Sequence, residues 1–147
     1  MTEFKRTFAN TTACLHGIRA FVREKAQGMG FGEDDLDRIE LAVDEACANV
    51  VEHAYPEGQV VEDGLHLCLR LDYGKLTIVI ADRGVPFDAK SIQNPDMEEY
   101  LAEMRIGGLG IYLMRTLMDQ VDYDTKPGQN EVKLVKYLVR DDDRKSS

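Results

Sequence analysis

Three short segments, in a fixed order along the chain, combine residue types that could act on a single ligand. Glu45 and Asn49 place a carboxylate and an amide about one helical turn apart. Asp82 ends an apolar run and is followed two residues later by Gly84, and Gly107–Gly110 holds three glycines just before another apolar stretch. A site for a magnesium nucleotide requires four kinds of group. These are a proton acceptor, an amide oxygen for a hard cation, a hydrogen-bond acceptor for an amine, and free backbone N–H groups for phosphate.

The composition is typical of one globular domain. The chain has 147 residues, of which 44% are hydrophobic and 31% charged, enough to bury a core without disulfides or metals. Acidic residues outnumber basic ones by 27 to 18, which gives a net charge of -9. This charge argues against direct binding to nucleic acid and against an anionic membrane surface. We therefore predict a single domain over residues 1–147 and a protein as its partner.

The sequence contains no evident targeting signal or metal motif. No apolar run is long enough to cross a bilayer, and Met1–Arg6 lacks the apolar segment of a signal peptide, so a cytoplasmic location is predicted. The cysteines are far apart among apolar neighbours, and the histidines lack metal-ligand spacing, so both groups are interpreted as structural. These residues are Cys14, Cys47 and Cys68, and His16, His53 and His66.

Apolar spacing predicts four helices and five strands. Asn10–Thr12 is interpreted as the cap of the first helix and Gly28–Gly30 as its end. Asn94 followed by Pro95 is typical of a helix start, and Lys126–Asn130 is the turn of a final hairpin. The predicted elements are a strand at Glu3–Ala9, a helix ending near Gln27, a helix from Asp34 or Asp35 that ends before Pro56, strands at Leu65–Leu71 and Leu76–Ala81, a short helix at 95–104, a helix after Gly110, strands at Val121–Thr125 and Glu131–Val139, and a frayed tail at 140–147.

The order of these elements predicts the fold class. Strands that follow one another as hairpins do not fit a doubly wound Rossmann sheet. They favour an α/β (α+β) two-layer sandwich, in which a mixed, mostly antiparallel sheet carries its helices on one face. The other face is left for solvent or a partner.

The second helix carries the first chemical pair on the shoulder of its apolar stripe. A residue in that position borders a groove, where the Glu45 carboxylate could be partly desolvated and act as a base. The Asn49 oxygen, one turn later, could ligate magnesium. The alternative interpretation is a solvated helix flank, which is the commoner state of such a pair when nothing else supports it.

The other two segments each have a simpler structural interpretation. A carboxylate at a strand end beside a glycine can accept a hydrogen bond from adenine, but Asp82–Gly84 could equally be a turn that ends the strand. Gly107–Gly110 could hold phosphate at a helix N-terminus or could be a hinge. It is not a Walker loop, because no Gly-Lys-Ser/Thr sequence follows.

Taken together, the three segments resemble the motifs of a known superfamily. Glu40–Tyr55, Ala81–Phe87 and Gly107–Asp119 are similar to the N, G1 and G2 boxes of the Bergerat-fold ATPases, which include gyrase, MutL and histidine kinases. The most similar group is the bacterial anti-sigma-factor serine kinases. The likeness extends from about Asp37 to Leu138, and three boxes in order are more specific than any one of them.

The resemblance implies a role for each matching residue around ATP. Glu45 would be the general base for the attacking hydroxyl, and Asn49 the ligand of Mg²⁺. Asp82 and Gly84 would contact adenine. His53, followed by Ala54 and Tyr55, matches the end of the first box. The remaining matches are the lid at 88–106, Arg83 and Arg105 as candidates for phosphate or partner contacts, the glycines Gly107, Gly108 and Gly110 near the phosphates, and Asn130 in place of a threonine that helps to hold the adenine.

The resemblance also implies a function. The leading hypothesis is a Mg-ATP-dependent serine/threonine kinase that phosphorylates an anti-anti-sigma protein of the STAS type and can also bind a sigma factor. A second hypothesis is a nucleotide-dependent binding module without phosphotransfer, which would share every motif. Two further hypotheses are a detached histidine-kinase domain and a domain that binds no nucleotide. Members of this family commonly dimerise through the sheet side, so a homodimer is also expected.

Overall fold

The computed structural model describes residues 1–84 and 108–138, which form three α-helices, one π-helical turn and five β-strands. The predicted short helix at 95–104, the lid and the tail at 140–147 lie outside the described residues. The elements are β1 (Thr2–Phe8), α1 (Ala13–Met29), α2 (Glu33–Asn49), the π-helical turn (Val50–Ala54), β2 (Leu65–Asp72), β3 (Lys75–Asp82), α3 (Gly108–Leu117), β4 (Gln120–Lys126) and β5 (Gln129–Tyr137).

The strands form one sheet in the order β1-β2-β3-β5-β4, and each described pairing is antiparallel. The predicted antiparallel character is therefore confirmed. The strand β5 lies between β3 and β4. The end of β3, the start of β5 and the end of β4 therefore lie side by side at one end of the sheet. There Asp82 is directly opposite Asn130, and Asn130 is directly opposite Thr125.

The core lies between the helices and one face of the sheet. Alternate residues of each central strand face the helices, as the period of two along a strand requires. The helices contribute their apolar stripes to the same cluster, which confirms the two-layer arrangement with helices on one face. The sheet supplies Leu65, Leu67, Leu69, Leu76, Ile78, Ile80, Val132 and Leu134, and the helices supply Ile18, Val22, Leu36, Ile39, Val43 and Met114, among others.

The ends of α1 differ in detail from the prediction. Thr12 occupies the N-cap position without a side-chain hydrogen bond to the helix. Asn10 is buried and instead holds the loop after the π-helical turn, accepting a hydrogen bond from Val61 N at 2.6 Å and donating one to Gln59 O at 2.9 Å. The helix continues through Gly28 and ends at Met29, because Gly30 adopts a left-handed conformation with φ of 106°.

Two further boundaries differ from the prediction, and a third agrees with it. The helix α2 begins at Glu33, and its π-helical continuation ends before Tyr55, as predicted from Pro56. The hairpin turn is only Pro127–Gly128, because Lys126 pairs with Gln129 and Gly128 takes a φ of 79°. Within the described part of the chain, no helix is long and apolar enough to span a membrane.

Candidate functional site

A cavity opens where the end of α2 meets the neighbouring ends of β3, β4 and β5. Four of the residues predicted from the sequence lie on its wall: Asn49, His53, Asp82 and Asn130. They come from two layers of the sandwich, so the cavity exists only when the helices are packed on the sheet. The other described lining residues are Ala46, Val50, Ala54, Ile80, Tyr123, Thr125, Glu131 and Val132.

The end of α2 reaches the cavity through a change of helical pitch. The α-helix stops at Asn49, and the next five residues form the π-helical turn. The lining residues of this segment recur every three or four positions, so one helix face is directed at the cavity. Single π-helical turns of this kind are frequent at functional sites. Here the turn places His53 on the same wall as Asn49, the last residue of α2. The His53 side chain also lies 3.6 Å from the Glu52 carboxylate.

Glu45 lies one turn before Asn49 and is half-buried, although it is not among the described lining residues of the cavity. Burial raises the pKa of the Glu45 carboxyl, and the nearby negative charges of Asp44 and Glu52 raise it further. A carboxylate with a raised pKa holds a proton more readily, which is the property that a general base needs. The predicted shoulder position agrees with this partial burial.

Asp82 ends β3 and is almost completely buried, with 6% of its surface exposed. Its Oδ1 accepts hydrogen bonds from Gly84 N and from Asn130 Nδ2, each at 2.8 Å. No donor among the described residues reaches Oδ2, and Asp82 lines the cavity. The second oxygen is therefore the acceptor that a ligand amine could use. Asn130 Nδ2 also lies 3.3 Å from Gly84 O, so one amide holds both ends of this short loop.

Gly84 has a packing role that the sequence did not reveal. A Cβ built on Gly84 would lie 1.9 Å from the carbonyl oxygen of Ala54 and 2.8 Å from its Cβ. The loop after β3 thus touches the backbone of the π-helical turn, and only glycine permits this approach. The predicted contact of Gly84 with adenine stays a prediction.

Three polar lining residues were missed by the sequence reasoning. Tyr123 and Thr125 alternate along β4, and Glu131 follows Asn130 on β5. Burial raises the pKa of the Tyr123 phenol, while the side chain of Asn49 and the charge of Arg115 oppose that rise. The period of two along β4 could have identified the pair, provided that the register with β5 had been known.

The glycine segment is only partly described. Gly108 and Gly110 lie in the first turn of α3, so the helix begins at Gly108 rather than after Gly110, where the prediction placed its start. Arg105 and Gly107 lie outside the described residues, and their predicted contacts with phosphate stay predictions. The N-terminal N–H groups of a helix have no partners within the helix, which suits an anion there.

The donor set fits a magnesium nucleotide. Asp82 Oδ2 is an available acceptor for a base, and Asn49 supplies an amide group on the same wall. Residues 1–84 and 108–138 contain no cluster of three or more His, Cys, Asp or Glu that could hold a metal by itself. Mg²⁺ requires no such cluster, because it keeps waters and substrate oxygens and takes one or two ligands from the protein.

Comparison with known proteins gives consistent matches over most of the chain. A family model described as the histidine kinase-like ATPase domain matches residues 8–136. The serine-protein kinase RsbW of Bacillus pumilus is 38% identical over 130 residues, which cover 84% of this chain and 78% of that protein. The serine-protein kinase RsbW of Halalkalibacterium halodurans is 33% identical over 129 residues, covering 85% and 76%.

Two solved structures share the fold. One contains the RsbU and RsbW domains of Rv1364c from Mycobacterium tuberculosis, with a TM-score of 0.70 at 20% identity, and the match covers 95% of this chain and 33% of that one. The other is the SiaB-SiaC complex from Pseudomonas aeruginosa, with a TM-score of 0.64 at 14% identity, covering 92% and 88%. At such low identity these likenesses concern the fold alone.

Proposed function

The chain belongs to the serine-protein kinase RsbW family, whose members carry a histidine kinase-like ATPase domain, and we propose that it phosphorylates an anti-anti-sigma protein with ATP. Family membership makes the chain an ATP-dependent serine/threonine kinase. The identity of the phosphorylated protein, the magnesium ion and the roles of single residues belong to the proposal.

One observation carries the proposal for this site. A buried carboxylate, Asp82, keeps one oxygen clear of described donors on the same cavity wall as Asn49. Asn49 in turn lies one helical turn from Glu45, whose pKa is raised. Phosphoryl transfer from bound ATP requires a contact to adenine and a metal ligand at one cavity. It also requires a proton acceptor nearby, and Glu45 lies one helical turn away.

Each residue has a defined task in the proposed transfer. Asp82 accepts a hydrogen bond from the exocyclic amine of adenine, and Asn49 provides its amide oxygen to the metal. When bound, Mg²⁺ supplies charge neutralisation to the phosphates, which matters in a chain with a net charge of -9. Glu45 accepts the proton of the attacking serine or threonine hydroxyl. Catalysis is then mainly a matter of positioning and charge neutralisation.

The first test separates binding from transfer at Glu45. Glu45→Gln keeps the shape of the side chain and removes the base. We expect ATP affinity to stay within about threefold while phosphorylation of the partner falls by at least about a hundredfold, in the range typical of a lost general base. Labelled ATP and purified partner give the transfer rate, and calorimetry gives the dissociation constant.

The control for this test is Glu57→Gln, which removes an exposed carboxylate in the loop after the π-helical turn. It should leave the rate unchanged. In the wild type, the rate should fall as the pH is lowered through the raised pKa of Glu45, because the protonated carboxyl cannot act as a base. Equal phosphorylation by Glu45→Gln and wild type would contradict the assigned role.

The partners can be identified in a nucleotide-dependent experiment. We propose that the protein binds an anti-anti-sigma protein of the STAS type and, in another nucleotide state, a sigma factor. A pull-down in ADP and another in ATP, followed by mass spectrometry, identifies what binds and what becomes phosphorylated. Binding in either state without label on any partner would support a binding module that transfers no phosphate.

We also propose that residues 1–147 form one domain that acts in the cytoplasm as a homodimer. The shared core of the described elements supports one domain, and the use of ATP supports the location. The sheet face opposite the helices carries short side chains on its middle strands, including Val79, Ala81 and Val135. This face could pack against a second copy, and the mass of the protein measured by light scattering tests the dimer.

A further inference from the structure

The Tyr55 hydroxyl joins two loops that are distant in sequence. It donates a hydrogen bond to Gly64 O at 2.6 Å and accepts one from Arg83 N at 3.1 Å. The ring is half-buried and packs against the core. A phenol has one proton to donate and lone pairs to accept, so this single group uses both of its capacities on backbone atoms.

The loop on the donor side of Tyr55 is itself fixed to the body of the protein. Gly64 N donates to Val61 O at 3.0 Å, and Val61 N donates to the buried Asn10 at 2.6 Å. A Cβ on Gly64 would lie 3.2 Å from the Tyr55 ring, so the loop and the ring are in close contact. Through this loop the hydroxyl is therefore connected by hydrogen bonds to Asn10, at the junction of β1 and α1.

On the acceptor side, Tyr55 reaches the loop that begins at Asp82. Arg83 N is the first backbone donor after Asp82, and the following N–H, that of Gly84, donates to Asp82 Oδ1 at 2.8 Å. Gly84 also touches Ala54, the residue before Tyr55. The turn that follows Asp82 is thus held by Ala54, which lines the cavity, and by Tyr55, which is not among its described lining residues.

We propose that Tyr55 is a positioning residue for base selection, because its hydroxyl fixes the Asp82–Gly84 turn in the orientation that recognises the exocyclic amine of adenine. The inference rests on the proposed function, in which Asp82 contacts the base. Tyr55 is not among the described lining residues of the cavity, so its effect passes through the backbone of Arg83.

The test compares two nucleotides in Tyr55→Phe, which keeps the ring and removes only the hydroxyl. Inosine triphosphate has the same sugar and phosphates as ATP but carries a carbonyl in place of the amine. We expect the dissociation constant of ATP to rise about fivefold, the effect of one net hydrogen bond, and that of inosine triphosphate to change less than about twofold. The rate at saturating ATP should stay within about twofold, because Glu45 and Asn49 lie on α2.

The matched control is Tyr73→Phe, at the exposed turn between β2 and β3, at the opposite end of β3 from Asp82. It should leave the ratio of the two dissociation constants unchanged. A purely structural role for Tyr55 would lower the melting temperature while leaving the ratio unchanged, and that result would overturn the proposal.

A second variant covers the case in which Tyr55→Phe does not fold. Asn10→Ser removes the support of the loop at its other end, and we expect it to lower the preference for ATP by about twofold or more. An unchanged preference in a folded Asn10→Ser protein would then overturn the proposal. The wild type separates the two hypotheses. If it does not prefer ATP to inosine triphosphate, the proposed contact of Asp82 with adenine is wrong. If the wild type prefers ATP and both variants retain that preference, only the role of Tyr55 is contradicted.

Discussion

Two aspartates are buried to nearly the same extent at opposite ends of the molecule, and they are held in different ways. Asp82 has 6% of its surface exposed and Asp35 has 8%. Asp35, in the first turn of α2, lies 3.1 Å from the guanidinium of Arg38 and 3.9 Å from the ammonium of Lys136. Described donors to Asp82 are neutral, an amide of the backbone and the amide of Asn130.

The difference indicates which carboxylate is structural and which is available to a ligand. A buried carboxylate that is neutralised by cations and by a helix N-terminus has its charge satisfied within the fold. Among the described residues, only neutral donors reach Asp82, and they satisfy one of its oxygens without cancelling its charge. The second oxygen is then a strong acceptor. We therefore expect mutations at Asp82 to weaken nucleotide binding, and mutations around Asp35 to lower the stability of the fold.

The largest expected effect is on nucleotide binding at Asp82. Asp82→Asn places an NH2 group, or a weaker neutral acceptor, where the amine of adenine would donate. We expect ATP affinity to fall about a hundredfold, or roughly 3 kcal/mol, the upper range for a hydrogen bond to a charged group. Stability without nucleotide should change by less than about 1 kcal/mol, since an asparagine oxygen can still accept from Gly84 N.

Calorimetry and thermal unfolding of Asp82→Asn measure the two quantities separately. A loss of stability with unchanged ATP affinity would reverse the comparison, because Asp82 would then be the structural carboxylate.

The next effect is on stability, at the other end of the sheet. Lys136 is mostly buried and forms ion pairs with Asp35 at 3.9 Å and with Asp119 at 4.0 Å. It also donates a hydrogen bond to Leu117 O, the last carbonyl of α3, at 3.1 Å. Lys136→Met keeps the length of the side chain and removes the charge. We expect the free energy of unfolding to fall by about 2 kcal/mol. This is less than for a buried ion pair without other partners, because Arg38 still neutralises Asp35. This corresponds to a melting temperature lower by about 6 °C.

The control for Lys136→Met is Lys133→Met, on the opposite face of β5, which should be close to neutral. ATP affinity should stay within about twofold in both variants. A tenfold loss of affinity in Lys136→Met would contradict the separation of the two ends.

Much of the fold could be predicted because it depends on local periodicity. Leu65, Leu67 and Leu69 are buried and alternate with the less buried His66 and Cys68, which predicts a strand with one buried face, whatever its neighbours are. The role of Asn10 could not be predicted in this way. Its partners, Gln59 and Val61, lie 49 and 51 residues away, and a polar residue just before a helix is equally typical of a cap.

The site divides along the same line. The sequence indicated Asn49 and Asp82 from their residue types and element ends, and the structure brings both to one cavity. The sequence did not indicate that Asn130 donates a hydrogen bond to Asp82, because that contact depends on the register between β3 and β5. The expected contact of Gly84 with adenine did not include the packing of Gly84 against Ala54, since close backbone packing leaves no trace in a single sequence.

The smallest expected effect tests which cation neutralises Asp35. Arg38 is nearer to the carboxylate than Lys136, at 3.1 Å against 3.9 Å, but half of its side chain is exposed, at 51%, whereas that of Lys136 is 12% exposed. Water screens the exposed partner, so we expect Arg38→Ala to cost only about 0.5 kcal/mol in urea unfolding, well below the loss for Lys136→Met. If Arg38→Ala and Lys136→Met lost equal free energy of unfolding, then distance rather than burial would decide which cation stabilises Asp35. The exposed Arg38 would then neutralise Asp35 as well as the buried Lys136 does. Asp35 and Asp82 would differ only in whether their neighbouring groups are charged or neutral.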